Sequence, residues 1–159
     1  MNLRIRPFHE DDLNAVIQIT LLAFEPVFLS FEKILGPEIY AILYPDWHKI
    51  QIQGVKNLMN NEKFHFWIAD VDGKVVGYIA FEFYEDKTGE VQLLAVHPDY
   101  QNHGVGTELN ILALRMMKEA GMKLAIVGTG GDSSHAAARR SYEKAGYTGL
   151  PLVRYYKDL

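Results

Sequence analysis

The chain has no cysteine, and that absence removes disulfides, thiol nucleophiles and zinc–thiolate centres together. It has no basic excess either: 16 Lys and Arg stand against 20 Asp and Glu, a formal net charge of −4. Nucleic-acid binders usually carry the opposite imbalance, so no nucleic-acid partner is expected. No uninterrupted apolar run approaches the ~18 residues of a membrane span, and no membrane partner is expected. The N-terminus, MNLRIRPFHEDD, turns acidic where an export signal needs its apolar centre, so the expected location is cytoplasmic. The six histidines (9, 48, 65, 97, 103 and 135) lack H-E-x-x-H or comparable spacing, so no metal is expected. Repeats, linkers and low-complexity segments are missing too. With 159 residues, one domain over 1–159 is expected, large enough to bury a core.

What is present reads as a mixed α/β (α+β) domain. Residues 3–7, LRIRP, alternate as a short strand, and Leu13, Val16, Ile17, Thr20, Leu21 and Phe24 follow helical spacing behind Glu10-Asp11-Asp12. From 25 to 61 helices are expected, broken near Pro26, Gly36-Pro37 and Pro45-Asp46. This stretch is rich in aromatics (Phe28, Phe31, Tyr40, Tyr44, Trp47), which either pack together or wall a substrate pocket. Strands at 64–71 and 74–84 flank Asp72-Gly73, a strong hairpin signal, and a third covers 90–96. A helix over about 104–120, with Gly121 as its stop, and a buried strand at 122–128 complete a βαβ crossover. A last helix at about 134–145 and a last strand at about 148–156 close the chain.

The stretch AVHPDYQNHGVGTEL, residues 95–109, puts Gly104 and Gly106 where a helix starts, a place usually given to Ser, Thr, Asp or Asn. The first turn of a helix has free N–H groups and the positive end of its dipole, which suit an anion. Two readings stand: a phosphate cradle built on residues 101–107, or a turn that needs glycine for its geometry alone. No Gly-Lys-Ser/Thr follows, so it is not an ATP-binding P-loop, and the third glycine of a dinucleotide fingerprint is missing.

Leu94-x-Val96-x-Pro98, then Gln101-x-x-Gly104-x-Gly106, then Ala138-x-x-x-Tyr142-Glu143-Lys144-Ala145-Gly146-Tyr147 resembles the GNAT family of N-acetyltransferases over nearly the whole chain. The resemblance implies transfer of acetyl from acetyl-coenzyme A to a primary amine by direct attack in a ternary complex. A small-molecule acceptor is favoured, and a peptide amine stays open. It implies that Gln101, Asn102, His103, Gly104, Val105, Gly106 and Thr107 hold the pyrophosphate. Leu94, Ala95 and Val96 would pair with the pantetheine arm, Val96 N–H facing the thioester oxygen. Glu90 is the implied proton acceptor, with Glu82 or ordered water as alternatives, and otherwise a strand-end carboxylate. Tyr142 is the implied proton donor to the leaving thiolate, or else an aromatic packed in the core. His135 stands where the family often has a coenzyme-binding Asn. Ser134 reads as a helix cap. Arg139 or Arg140 would either meet the 3′-phosphate or line an exposed helix face. Trp47-His48 lies on the implied acceptor side. The last strand could pair with a second subunit in a homodimer. A non-catalytic acyl-coenzyme A sensor is the alternative to an enzyme.

Overall fold

The computed structural model describes residues 1–159. One five-stranded sheet runs in sequence order: β1 (Leu3–Pro7), β2 (Phe64–Val71), β3 (Lys74–Phe83), β4 (Thr88–Val96) and β5 (Leu124–Val127). The first four pair antiparallel and β5 joins β4 in parallel. The hairpin between β2 and β3 turns on Asp72 (φ 52°) and Gly73 (φ 84°), the positive pair that a tight two-residue turn requires.

Period-2 alternation divides the sheet into two apolar faces. One face, with Val76, Ile79, Phe81, Val91 and Val96, is covered by α4 (Val105–Glu119) through Val105, Leu109, Ala113 and Met117. The other, with Phe66, Ile68, Tyr78, Ala80 and Ala95, packs under α1 (Leu13–Leu35) and α3 (Trp47–Met59). The start of α1 is fixed by Arg6 on β1, whose guanidinium donates two 2.8 Å bonds to buried Asp12. The short α2 (Pro37–Leu43) and α5 (Ala136–Lys144) complete the helices.

Three expectations are corrected. Helix α1 runs through Pro26, because the proline removes only one donor, and does so where Leu22, one turn before it, is exposed. The break expected at Gly36-Pro37 does form, at Gly36 in an extended positive-φ conformation (φ 79°, ψ 161°). Residues 10–35 form a helix long enough to cross a membrane, and an 18-residue stretch within it reaches a mean hydropathy of 1.6. One face of that helix, with Val16, Ile19, Thr20, Val27 and Phe28, is buried against the rest of the fold. The expected last strand does not form. Residues 148–159 make no backbone hydrogen bond, and Leu150, Leu152, Val153 and Tyr155 are at least 77% exposed.

Candidate active site

The parallel ladder between β4 and β5 is short. It joins Thr88–Val91 to Leu124–Val127, and beyond Val91 the outer edge of β4 has no partner strand. An irregularity in the β3 pairing, Ala80 opposite Leu93 but Phe81 opposite Val91, leaves Gln92 as an extra residue where the two strands part. His97 N–H donates to Val76 O at 2.8 Å, so alternation turns the peptide groups of Ala95 to β3 and those of Leu94 and Val96 outward. Of the three residues expected on this edge, Leu94 and Val96 therefore present free N–H groups. Ala95 instead puts its side chain in the core and its carbonyl against Gly77.

The glycine turn continues this line. His97 caps a single turn at 98–100 by accepting from Asp99 N–H, and Asn102 (φ 62°) bends the chain. Exposed His103 holds the Gln101 carbonyl at 2.7 Å. Gln101 turns its amide back to donate to the Val96 carbonyl at 3.0 Å, tying the turn to the strand end. Gly104 is the N-cap of α4 at φ 84°, ψ −5°, and no side chain caps the helix, so the first-turn N–H groups of Val105, Gly106 and Thr107 stay free. Val105 contributes by its backbone alone, because its side chain is in the core. The two glycines serve different ends. Gly104 answers to its backbone angle, with open space where a Cβ would be. A Cβ on Gly106 would reach ordinary contact with Leu94 (3.6 Å) and Val96 (3.7 Å), so this residue faces the open strand edge.

Carboxylates gather on the α1 face. Glu82 and Glu90 are direct cross-strand partners, an arrangement of like charges that is unfavourable unless something is held between them. Tyr84 Oη donates to Glu90 Oε2 at 2.9 Å and accepts from Gln92 Nε2 at 3.1 Å. Burial first, then hydrogen bonds to Glu90 and Glu82, pushes the Tyr84 phenol up to about 12. Tyr84 was not foreseen, although its place two residues after Glu82 was the signal: period 2 puts both on one face.

The aromatics of 25–61 pack on one another. Phe28 stacks on Trp47 (4.5 Å between ring centres) and meets Tyr44 edge-on (5.2 Å), while Phe31 stacks on Tyr44 (5.7 Å). Trp47 and His48 stack at 3.8 Å. The cluster ends on His135, whose ring lies on Phe31 at 5.9 Å. His135 Nδ1 is 2.6 Å from Asp132 Oδ1, and Asp132 also accepts from Ser30 on α1 (2.7 Å) and from Ser134. Burial opposes the charged form of Asp132, but hydrogen bonds from Ser134, Ser30 and His135 outweigh it. They hold the carboxyl well below the usual carboxylate range. The cap of this turn is Asp132, accepting from Ser134 N–H, rather than Ser134. Arg139 is occupied by the carbonyls of Gly130 (2.6 Å) and Asp132 (2.7 Å), leaving Arg140 as the exposed arginine. Tyr142 is half-buried, edge-on to Tyr147 at 5.8 Å, and burial raises its phenol. Asn110, one turn beyond Gly106, is fully buried with neither amide atom hydrogen-bonded.

Free N–H groups of Val105–Thr107, continuing to those of Leu94 and Val96, can bind a ligand that has phosphates at one end and amides along its arm. Glu90 sits in the β4–β5 ladder just before that edge opens, with Glu82 and Tyr84 beside it. The model of the Acetyltransferase (GNAT) family matches residues 30–147, more than half of the chain. An uncharacterized N-acetyltransferase of Archaeoglobus fulgidus is 27% identical over 150 residues, 88% of this chain and 89% of the relative. A mycothiol acetyltransferase of Streptomyces coelicolor is 31% identical over 83 residues, 52% of this chain, but the match spans only 26% of that protein's length. Among solved structures, the PaiA N-acetyltransferase of Thermoplasma acidophilum in complex with coenzyme A superposes with a TM-score of 0.70. It is 18% identical, with 93% of this chain and 91% of that one covered. The chain belongs to the GNAT family of acetyltransferases and is an acyltransferase.

Proposed function

We propose that this protein transfers the acetyl group of acetyl-coenzyme A to a primary amine by direct attack within a ternary complex. The observation that carries this reading is the unbroken run of free N–H groups from the first turn of α4 to the outer edge of β4. The pyrophosphate lies on Val105–Thr107 within the turn of residues 101–107, where the helix dipole and free amides favour an anion. The pantetheine arm then follows Gly106 to β4 and pairs with Leu94 and Val96 as an added strand would. Val96 N–H faces the thioester oxygen, where charge develops during attack.

An alkyl ammonium has a pKa near ~10 and must lose a proton before it attacks. Glu90 accepts that proton, with Tyr84 and Glu82 completing the polar group around it. The facing carboxylates also draw a cationic amine toward the gap. Tyr142 gives its proton to the thiolate that leaves. Burial raises that phenol above its ordinary ~10, so the donor form is retained through neutral pH and is lost only on the alkaline side. A small-molecule amine is the favoured acceptor, because the aromatic group of α1–α3 narrows the approach, and a peptide amine is the second choice. A homodimer joined through residues 148–159 accounts for their exposed apolar side chains.

Thiol release from acetyl-coenzyme A with a panel of amines tests the reading. One amine class is expected to give turnover, and Tyr142→Phe to slow it by about 100-fold while coenzyme affinity is unchanged. Tight binding of acetyl-coenzyme A without acetylation of any amine would favour a sensor instead.

A further inference from the structure

A carboxylate has two oxygens, and as a proton acceptor it works best when one of them is tied down and the other left open. We propose that Gln92 and Tyr84 form a brace that occupies Oε2 of Glu90 and leaves Oε1 as the accepting atom. This rests on the acetyl-transfer reading above, in which Glu90 deprotonates the amine.

The direction of the brace follows from its donors. Tyr84 Oη lies 2.9 Å from Glu90 Oε2 and 3.1 Å from Gln92 Nε2. A phenol has one hydrogen to give and an amide nitrogen can only donate, so Gln92 takes a lone pair and the hydrogen goes to Glu90. With the Gln92 amide turned about, its carbonyl and the carboxylate would both need that hydrogen, and one would go without. Burial first, and the neighbouring carboxylates second, push the phenol up to about 12. At neutral pH Tyr84 therefore keeps its proton, which makes it a positioning residue and not the acceptor.

The backbone places all three groups. Tyr84 directly follows β3, and period 2 sets it with Tyr78, Ala80 and Glu82 on the face toward α1. Its N–H donates to the Thr88 carbonyl at 2.8 Å and its carbonyl accepts from Lys87 at 3.2 Å, so the ring stands on a closed turn. Asp86 tightens that turn by accepting from Thr88 N–H (3.0 Å) and from its hydroxyl (2.7 Å). On β4, strict alternation would force Gln92 and Leu93 to opposite faces. The extra residue at the irregularity removes that constraint: Leu93 packs on the cluster under α1, while exposed Gln92 reaches Tyr84.

Two features of the position give the brace a purpose. Glu82 stands directly across from Glu90, and like charges in that register repel, so an unbraced Glu90 would swing away. Val91 pairs with Val127 in the last rung of the β4–β5 ladder, and Gln92 is the first β4 residue beyond it. The acceptor is thus tied to the start of the open edge on which the coenzyme arm is proposed to lie. In the step, one N–H bond of the ammonium breaks and its proton goes to Oε1. The ammonium becomes a neutral amine and the carboxylate a carboxylic acid, while Tyr84 keeps its hydrogen.

The test uses Glu90→Gln, Tyr84→Phe and Gln92→Met in the full chain, singly and in pairs. Steady-state kinetics gives kcat and both KM values, and calorimetry gives acetyl-coenzyme A affinity. We expect kcat to fall at least about 100-fold in Glu90→Gln. It should fall about tenfold in Tyr84→Phe and about threefold in Gln92→Met, with coenzyme affinity within about twofold throughout. Each residue acts only through the next. Tyr84→Phe should therefore cost less than about twofold in a Glu90→Gln background, and Gln92→Met likewise in a Tyr84→Phe background. Gln92 is exposed, so its variant reports on the brace even where Tyr84→Phe disturbs the turn. Losses that multiply in either pair, or wild-type kcat in Tyr84→Phe or Gln92→Met, overturn the brace and leave Glu90 its role. Unchanged kcat in Glu90→Gln overturns the acceptor assignment and the brace with it. A wild-type chain that binds acetyl-coenzyme A and acetylates no amine overturns the transfer reading itself, so the failures are distinguishable.

Discussion

In the proposed site the groups that face the coenzyme on the β4 side are peptide N–H groups: Leu94, Val96 and the first turn of α4. On the α1 side the groups are side chains: Glu82, Tyr84, Glu90, His135 and the aromatic group that ends on it. A peptide edge can be filled by many sequences, provided that no Cβ intrudes and the backbone angles can be met. A side-chain wall changes with each substitution. The first material suits a coenzyme common to a family, and the second an acceptor that differs among its members. On this account the coenzyme side should be sensitive to added bulk and the acceptor side to removal of atoms.

The largest effect is expected from intruding on the peptide edge. Gly106→Asp sets a carboxylate and its carbons between α4 and β4, where a Cβ alone would already touch Leu94 and Val96. Acetyl-coenzyme A affinity should fall by at least about 100-fold, since negative charge is added where a pyrophosphate must sit. Melting should shift little, because a Cβ there makes only ordinary contacts. Calorimetry and a thermal scan check both halves. Affinity within about threefold of wild type would mean that the coenzyme does not lie on this edge.

Removing atoms from the side-chain wall should do the reverse. Phe31→Ala takes away the ring that stacks on both Tyr44 and His135. The KM for the amine should rise about tenfold, with acetyl-coenzyme A affinity unchanged, as the lost contacts are worth on the order of 1 kcal/mol each. Steady-state kinetics with each substrate varied separates the two. A change confined to the coenzyme would erase the contrast between the sides.

The same contrast governs what could be read from the sequence. The peptide side was legible, because its cues are local: Asp72-Gly73 between alternating runs, and Gly104 and Gly106 between a strand and an apolar helix. The positive φ of Gly104 and the open edge of β4 are consequences of a few neighbouring residues. The side-chain wall was only partly legible. Glu90 and Tyr142 could be named, but the Tyr84 bridge needs the β3–β4 register. Asp132 is held by Ser30 across 102 residues, which no local pattern encodes. Arg139 looked like a surface cation and proves to brace a loop, since its charge gives no hint that two carbonyls lie within reach. Pro26 misled for a related reason: its cost to a helix is local, and the packing of Val16, Ile19, Val27 and Phe28 that outweighs it is not.

The smallest effect on chemistry is expected at the C-terminus, which belongs to neither wall. Residues 148–159 make no backbone hydrogen bond, and β5, the last strand of the sheet, presents an unpaired outer edge with Leu124 57% and Ile126 38% exposed. An unpaired edge beside an extended apolar segment is a template for strand addition. With pairing between two copies, light scattering should give twice 18.1 kDa for the full chain and a monomer after removal of 148–159. Turnover of a small amine should stay within about twofold, as surface changes away from a site usually cost under ~0.5 kcal/mol. Arg154 and Tyr156 pass beside Tyr44, so a bulky acceptor is the more sensitive probe of the segment. A full-length monomer would rule out pairing through the tail. A monomer that loses turnover of every amine on truncation would move residues 148–159 into the acceptor wall, and the division between peptide and side-chain sides would have to be redrawn there.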